Sequence, residues 1–163
     1  MSEAGKELPI YPPVMDYLRK KHQTLKKDYR TEDGKYSEHC GLIAIDIAEL
    51  LLQGGERPSL KSVRGDEVRE SGFVHNRSLV PKIYEGRVSW GGHTICAVGD
   101  TIFDPMVGEP MNAEDYRREV FTEPVNLEDQ VPEEFMKEFI QRRKPKINGF
   151  RHTKRLIKHT PLR

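Results

Sequence analysis

The stretch CGLIAIDIAELLL, residues 40–52, decides the fold. Its apolar residues recur with the 3.6-residue period of an α-helix and also fill most of the remaining circumference. A helix that is apolar on nearly every side is buried in its protein, so we predict a central helix that begins at Cys40 and ends at Gly54-Gly55. Ser37 stands three residues before Cys40, where its hydroxyl is placed to cap that helix.

The position of Cys40 at the head of this helix makes it a candidate nucleophile. Backbone N–H groups without intrahelical acceptors, together with the positive end of the helix dipole, lower the pKa of a thiol placed there. The thiolate is the form of cysteine that attacks a substrate. A cysteine on an apolar helix is also common as plain core packing, so Cys40 needs catalytic partners elsewhere in the chain.

Downstream, the stretch HTICAVGDTIFD, residues 93–104, is typical of a β-hairpin. Its two strand-like runs flank Gly99-Asp100, and glycine at the first loop position suits a type II′ turn. A two-residue loop places Ile95 opposite Asp104, so that His93 and Asp104 project from the same face as diagonal neighbours. A loop that differed by one residue would put these two side chains on opposite faces.

Cys40, His93 and Asp104 are the residue types of a thiol catalytic triad. A thiol nucleophile needs a base within hydrogen-bond reach, and the base needs a third group that holds its tautomer and stabilises the imidazolium. We predict these roles for the three residues in that order. The backbone N–H of Cys40 is predicted to be one oxyanion-hole donor, and the sequence identifies no second donor.

Three neighbours of His93 are predicted to shape the substrate cleft. Gly91 and Gly92 leave the backbone bare of side chains, which lets a substrate chain approach the base. Trp90 is predicted to form one wall of the same cleft.

Other segments supply the elements around this centre. Pro12-Pro13 begins an amphipathic helix, whose apolar face is formed by Val14, Leu18, Leu25 and Tyr29. We predict short strands at residues 59–63 and 86–90, with a polar loop at residues 65–72 between them.

Two further helices are predicted near the end of the chain. Asn112 caps a helix over residues 113–121. Pro132 begins another, whose buried side is formed by Phe135, Met136, Phe139 and Ile140. The element order predicts an α+β fold with helices first, then a small antiparallel sheet, then helices.

The sequence resembles the papain-like and transglutaminase-like superfamily in three blocks, which are residues 39–44 (HCGLIA), 92–98 (GHTICAV) and 102–105 (IFDP). The common pattern is a cysteine at the head of an apolar helix, a histidine at the head of a strand and an aspartate at the end of the next strand. The resemblance implies a fold over residues 14–140 and a thioester acyl-enzyme on Cys40. His93 would be its general base and acid, and Asp104 would orient His93.

The resemblance also bears on the oxyanion hole. Papain-type enzymes carry a glutamine shortly before the cysteine, whereas the nearest upstream glutamine here is Gln23, on a different predicted helix. Transglutaminase-type members use an aromatic side chain, for which Tyr36 is the candidate. The pattern therefore favours the transglutaminase-like branch.

Zinc is a weaker interpretation of the same residues. His39, Cys40, His93 and Cys96 are four possible ligands, but residues 93 and 96 of one strand point to opposite faces. Cys96 alternates with apolar neighbours and is predicted to be part of the core. We expect no metal and no cofactor.

Charge is distributed unevenly along the chain of 163 residues. Nine of the 27 Lys and Arg residues follow Glu138, and none of the 26 Asp and Glu residues does. We therefore predict one α+β thiol-enzyme-like domain over residues 1–138 and a basic tail over residues 139–163, where an acidic partner or nucleic acid could bind. The length suits one domain that folds without disulfide bonds.

Several classes of protein are disfavoured. The beginning of the chain lacks the apolar core of a secretory signal, no stretch approaches the ~20 apolar residues that span a bilayer, and two dissimilar cysteines make no disulfide framework. We expect a cytoplasmic protein. The leading hypothesis is a hydrolase or acyltransferase that uses Cys40 on an amide bond of a protein or peptide. The alternative is a non-catalytic interaction protein of the same fold that binds through its basic tail. The sequence does not define the oligomeric state.

Overall fold

The computed structural model describes residues 12–27 and 36–143, with side chains for residues 12–26 and 40–143. The helices are α1 (Pro12–Lys27), α2 (Tyr36–Gln53), α3 (Ala113–Glu119) and α4 (residues 136–143). The strands are β1 (Ser59–Gly65), β2 (Glu67–Glu70), β3 (Phe73–Asn76), β4 (His93–Val98), β5 (Thr101–Phe103), β6 (Met111–Asn112) and β7 (Val125–Val131). Short 3₁₀ turns lie at Lys82–Tyr84 and Glu133–Phe135.

The main sheet has five strands in the order β6-β5-β4-β1-β7, and every neighbouring pair is antiparallel. Strands β2 and β3 form a separate two-stranded hairpin. The mixture of helices with a small antiparallel sheet confirms the α+β class.

The core has one part on each face of the sheet. Leu60, Cys96 and Phe103 are register partners across β1, β4 and β5, and they pack against α1, α2 and α4. The opposite face carries Val63 and Ile95, which pack with the loop between β3 and β4 and with α3. The two faces alternate along each strand because strand side chains have a period of two.

The predicted hairpin register is confirmed. Cys96 pairs with Phe103 and Val98 with Thr101, as a two-residue loop at Gly99-Asp100 requires. Gly99 has a φ of 57°, the positive value that the first position of a type II′ turn demands. The ladder ends at Cys96 and Phe103, so His93 and Asp104 lie just beyond the paired segment and share one face.

The central helix is confirmed, but its predicted beginning is wrong. Helix α2 begins at Tyr36, so Cys40 is its fifth residue and Ser37 lies inside the helix rather than before it. The polar first turn lacks the apolar period by which the helix was recognised, and this polar turn was therefore missed. The helix ends where predicted, at the turn through Gly54 and Gly55.

Helix α1 also agrees with the prediction. Val14, Leu18 and Leu25 are buried on its inner face, and Tyr29 lies outside the described residues.

The region between α2 and β4 was predicted less well. The strand at residues 59–63 is confirmed as part of β1. The loop predicted at residues 65–72 is wrong, because it includes β2, and the strand predicted at residues 86–90 is wrong, because only Trp90 makes an isolated bridge there. Strand β3 was missed, since the β2–β3 hairpin is exposed on both faces and lacks an apolar alternation.

The last part of the described chain follows the prediction in outline. The Asn112 side chain accepts a hydrogen bond from the Glu114 N–H and caps α3, which ends at Glu119 rather than at residue 121. Met136 and Ile140 are buried, whereas Phe135 is 55% exposed, which corrects its predicted burial. Strand β7 was not predicted.

Residues 136–143 form one helix across the predicted limit of the domain at residue 138, and residues 144–163 of the predicted basic tail lie outside the described residues. Among the described helices, none combines the length and the apolar character that a membrane span requires.

Candidate active site

His93 and Asp104 form a buried pair at the end of the β4–β5 hairpin. The Nε2–H of His93 donates to Oδ2 of Asp104 at 3.0 Å, and neither side chain is accessible to solvent. The pair exists because the two-residue turn places both residues on one face, beyond the last ladder pair.

Asp104 accepts two more hydrogen bonds. The Tyr116 hydroxyl donates to Oδ2 at 2.5 Å, and the Met106 backbone N–H donates to Oδ1 at 3.0 Å. Burial raises the pKa of this carboxyl, but the charge and hydrogen bond of His93 and the hydrogen bonds from Tyr116 and Met106 outweigh it, so its pKa lies below the ordinary value. Asp104 is therefore a fixed buried anion.

The pKa of His93 is raised to about 9. Burial lowers it, but the negative charge of Asp104, the hydrogen bond to Asp104 and the interaction with Cys40 raise it by more. His93 is therefore an imidazolium at neutral pH. Since Nε2 is bonded to Asp104, Nδ1 is the ring nitrogen that remains for Cys40.

Cys40 contacts His93 and a backbone donor. The Thr94 N–H donates to Sγ of Cys40 at 3.3 Å, and the thiol also hydrogen-bonds with His93. Burial raises the pKa of the thiol, but the hydrogen bond and positive charge of His93 and the Thr94 N–H together bring it below the ordinary value. These contacts stabilise the thiolate form of Cys40 relative to that of an ordinary cysteine.

Aromatic rings fix the imidazole of His93. Trp90 lies beside it with ring centroids 5.1 Å apart, and Phe121 meets it edge-on at 6.3 Å. Trp90 is buried behind the histidine and is absent from the residues that line the cleft, so its position differs from the predicted wall.

Cys40 and His93 are among the residues that line an open cleft of about 550 Å³, although the imidazole of His93 lies beneath its surface. Gly91 and Gly92 also line this cleft. The rest of the lining comes from three neighbouring strands and is formed by Ser62, Arg64, Thr94, Glu128, Asp129 and Gln130. Apart from Cys40 and the two glycines, every lining side chain is polar.

Cys96 has a different environment, although it is only two residues after Thr94. It is completely buried in the core beneath α2, as predicted, and burial raises the pKa of its thiol. The two cysteines are not joined by a disulfide bond. Cys96 therefore lacks the environment of a nucleophile.

The expected Cys40 oxyanion donor must be corrected. Because α2 begins at Tyr36, the α-helical pattern pairs the Cys40 N–H with the Tyr36 carbonyl. The side chains of Tyr36 and His39 lie outside the described residues. Within the described part of the chain, no group of three or more His, Cys, Asp and Glu side chains is arranged to hold a metal ion.

Thr94, Tyr116 and Gln130 are among the residues of the site that sequence reasoning missed. Tyr116 had a usable signal, because it is the single aromatic residue in the otherwise polar helix AEDYRRE. The contacts of Thr94 and Gln130 depend on the pairing of distant strands, and β7 was not predicted, so neither residue carried a sequence signal.

The arrangement has the parts of a nucleophilic site. It combines a thiol of lowered pKa, a histidine held by a buried carboxylate and a cleft whose lining includes the cysteine and the histidine. Comparison of the chain with protein-family models, with curated proteins and with solved structures gave no match.

Proposed function

We propose that this protein is a cysteine-dependent hydrolase or acyltransferase that cleaves an amide bond through a thioester intermediate. The observation that carries the proposal is the contact of Cys40 with His93 at the cleft, with His93 held by buried Asp104. Each of the three residues has the neighbour that its role in a triad requires.

The reaction has two stages. The Cys40 thiolate attacks the amide carbonyl carbon, and the C–S bond forms while the carbonyl electron pair moves to oxygen. As the carbonyl re-forms, the C–N bond breaks and the amine leaves with the proton of the His93 imidazolium. Neutral His93 then takes a proton from water or an acceptor amine, which attacks the thioester and releases the acyl group and the Cys40 thiolate.

The cleft indicates a polar substrate. Its lining has charged and hydroxyl groups on neighbouring strands but no apolar side chain except the Cys40 thiol. An extended polar segment of a protein or peptide fits such a surface, whereas a fatty acyl chain would find no apolar pocket.

The papain-like and transglutaminase-like resemblance supports the same proposal. Cysteine, histidine and aspartate occur in the superfamily order, with Cys40 on a central helix, His93 at the start of β4 and Asp104 directly after the adjacent antiparallel strand β5. We therefore propose membership of that superfamily. A nucleophilic thiol works only while it is reduced, so we place the activity in the cytoplasm.

Acylation by p-nitrophenyl acetate tests the function. The full-length protein is mixed with the ester at pH 7, nitrophenolate release is followed by absorbance, and the acetylated residue is located by mass spectrometry. We expect a thioester on Cys40 and none on Cys96. The rate should exceed that of N-acetylcysteine, fall to background in Cys40→Ala and fall at least about tenfold in His93→Ala.

His75→Ala is the matched control, because His75 is exposed on the separate β2–β3 hairpin. It should acylate at the parent rate. Acylation of Cys40 no faster than N-acetylcysteine, or unchanged in His93→Ala, contradicts the proposal.

A further inference from the structure

We propose that the side-chain amide of Gln130 and the backbone N–H of Thr94 form the oxyanion hole of this site. The inference rests on the proposed function. It assigns a catalytic role to a residue on β7, the exposed edge strand of the main sheet.

The reaction requires such donors from outside α2. The tetrahedral intermediate carries a full negative charge on the former carbonyl oxygen, and preorganised N–H donors stabilise that charge. The Cys40 N–H is bonded within the helix, so the donors must come from the other walls of the cleft.

Thr94 supplies the first donor. Its N–H lies 3.3 Å from Sγ of Cys40, so it is directed at the nucleophile itself. When the C–S bond forms, the sulfur loses its negative charge and the new oxyanion lies on the carbon bonded to that sulfur. The same N–H is then released from the thiolate and can donate to the oxyanion.

Gln130 supplies the second donor, and a β-bulge in the sheet directs its side chain. The β1–β7 register passes from Leu60–Val131 to Lys61–Asp129, so Gln130 is the extra residue of a β-bulge. A bulge redirects a side chain relative to the normal alternation of its strand. Here the bulged residue lines the cleft together with Cys40 and His93.

Thr94 also orients the Gln130 amide. Its hydroxyl donates to Oε1 of Gln130 at 3.2 Å. With the amide oxygen bonded in this way, the two N–H groups on Nε2 remain for an acceptor in the cleft. One threonine therefore contacts the nucleophile through its backbone and holds the second donor through its side chain.

The other polar side chains of the cleft fit this role less well. Glu128 and Asp129 are acids, whereas the Ser62 hydroxyl accepts a 3.4 Å hydrogen bond from Nε of Arg64 but keeps its own hydrogen, so Ser62→Ala is compared with Gln130→Met as well. Arg64 is a cationic donor, and it lies on β1 two residues beyond Ser62, the residue that pairs with Thr94. It is therefore the competing donor that an experiment must compare with Gln130.

Two reactions of Cys40 distinguish a variant that loses the oxyanion hole from one that loses the nucleophile. Alkylation by iodoacetamide displaces iodide from a saturated carbon and forms no oxyanion, whereas acylation by p-nitrophenyl acetate passes through one. We expect Gln130→Met to lower the acylation rate at least about tenfold while the alkylation rate changes less than about twofold. Gln141→Met, at an exposed position of α4, is the matched control and should keep both rates.

Thr94→Val tests the orientation step, because it keeps the backbone N–H and removes only the hydroxyl. We expect a smaller loss of acylation than in Gln130→Met. The double variant should lose no more than Gln130→Met alone, since the Thr94 hydroxyl acts through Gln130. Circular dichroism confirms that each variant is folded.

Three results would overturn the inference. The acylation rate of Gln130→Met could lie within about threefold of the parent rate. Its alkylation and acylation rates could fall equally. The loss of acylation could also occur in Arg64→Met and not in Gln130→Met. If the parent reacts quickly with iodoacetamide and Gln130→Met leaves the acylation rate unchanged, the inference is refuted but the proposed function is not. A parent whose Cys40 is inert to both reagents refutes the proposed function and this inference with it.

Discussion

The hydroxyl of Tyr116 donates to Oδ2 of Asp104 at 2.5 Å, and the same oxygen accepts the His93 Nε2–H at 3.0 Å. Both Tyr116 and Asp104 are completely buried. Tyr116 of α3 therefore orients the Asp104 carboxylate, which in turn orients His93. Tyr116 is a positioning residue of the candidate site, although it does not line the cleft.

Tyr116→Phe should weaken both the fold and the site. The substitution keeps the ring packed against Phe121 and removes one hydrogen bond to a buried anion. We expect the free energy of unfolding to fall by about 1–3 kcal/mol. Alkylation of Cys40 at pH 7 should also slow, because Asp104 holds the imidazolium less firmly. Urea denaturation and mass spectrometry measure the two effects.

Tyr17→Phe is the matched control for that variant. Tyr17 also donates to an aspartate, at 3.1 Å from Asp46, but this contact is on the surface. Its loss should cost less than about 1 kcal/mol and leave Cys40 alkylation unchanged. Equal losses in the two variants would show that Tyr116 has no special role.

Asp104→Asn should suppress the reactivity of Cys40. Without the carboxylate, the strongest cause that raises the pKa of His93 is gone and burial lowers it, so the histidine becomes neutral at pH 7. The thiol then loses its positive neighbour and its pKa rises. We expect alkylation at pH 7 to slow at least about tenfold and the free energy of unfolding to fall by roughly 3–5 kcal/mol.

The control for Asp104→Asn is Asp115→Asn, which breaks an exposed ion pair with Arg118. It should change the free energy of unfolding by less than about 1 kcal/mol and the alkylation rate by less than about twofold. An Asp104→Asn protein whose Cys40 is alkylated at the parent rate would contradict the assigned role of Asp104.

The His93–Asp104 placement could be predicted because local chemistry determines it. Gly99 allows the positive φ of a two-residue turn, and the turn length then fixes the register of β4 and β5. The central helix was predictable for a similar reason, since its apolar period is long and uninterrupted.

Other parts of the site depend on contacts between distant segments. Strand β7 contains three consecutive polar residues, Glu128, Asp129 and Gln130, and so lacks the alternation that identifies a half-buried strand. Its bulge arises from pairing with β1, which no local pattern encodes. Tyr116 reaches Asp104 only because α3 packs below the sheet.

Gly91→Ala should impair acylation without changing stability. A Cβ added at Gly91 would have no protein atom within 4 Å, so the fold accommodates alanine. The methyl group would instead project where a substrate chain approaches His93. We expect an unfolding free energy within about 0.5 kcal/mol of the parent and a several-fold lower acylation rate with a peptide thioester.

Gly108→Ala provides the opposite pattern. Gly108 has a φ of 86°, and a Cβ there would lie 2.6 Å from the His22 ring. This variant should lose more than about 1 kcal/mol of stability. If Gly91→Ala were destabilised to the same degree, the glycine would serve the fold rather than substrate access.

The pH dependence of Cys40 acylation should differ between an ester and an anilide substrate at alkaline pH. Because the pKa of Cys40 is lowered, a rise in pH does not remove the thiolate, whereas deprotonation of His93 near pH 9 removes the proton that a leaving amine needs. Acylation by p-nitrophenyl acetate should therefore persist above pH 9, because nitrophenolate leaves without a proton. Acylation by a p-nitroanilide should decline there. Identical alkaline limbs for the ester and the anilide would contradict the role of His93 as acid.

The stability of Cys40→Ala should depend on pH more than that of the parent. His93 has a raised pKa in the folded protein, so its contribution to the free energy of unfolding is complete below about pH 6.5 and is lost as pH rises through about 9. Cys40 has a lowered pKa in the folded protein. Its contribution to the free energy of unfolding is therefore present above the ordinary pKa of about 8.5 and is lost as pH falls through the pKa of the folded state. Within the window of about pH 6.5 to 9 that His93 sets, the two proton balances oppose each other in the parent wherever they overlap, because folding protonates His93 and deprotonates Cys40. Cys40→Ala leaves the histidine effect alone, and its unfolding free energy, measured in urea, should fall relative to the parent by up to about 1 kcal/mol per pH unit. A gap between the two proteins that stays constant across this window would show that no thiolate–imidazolium pair forms.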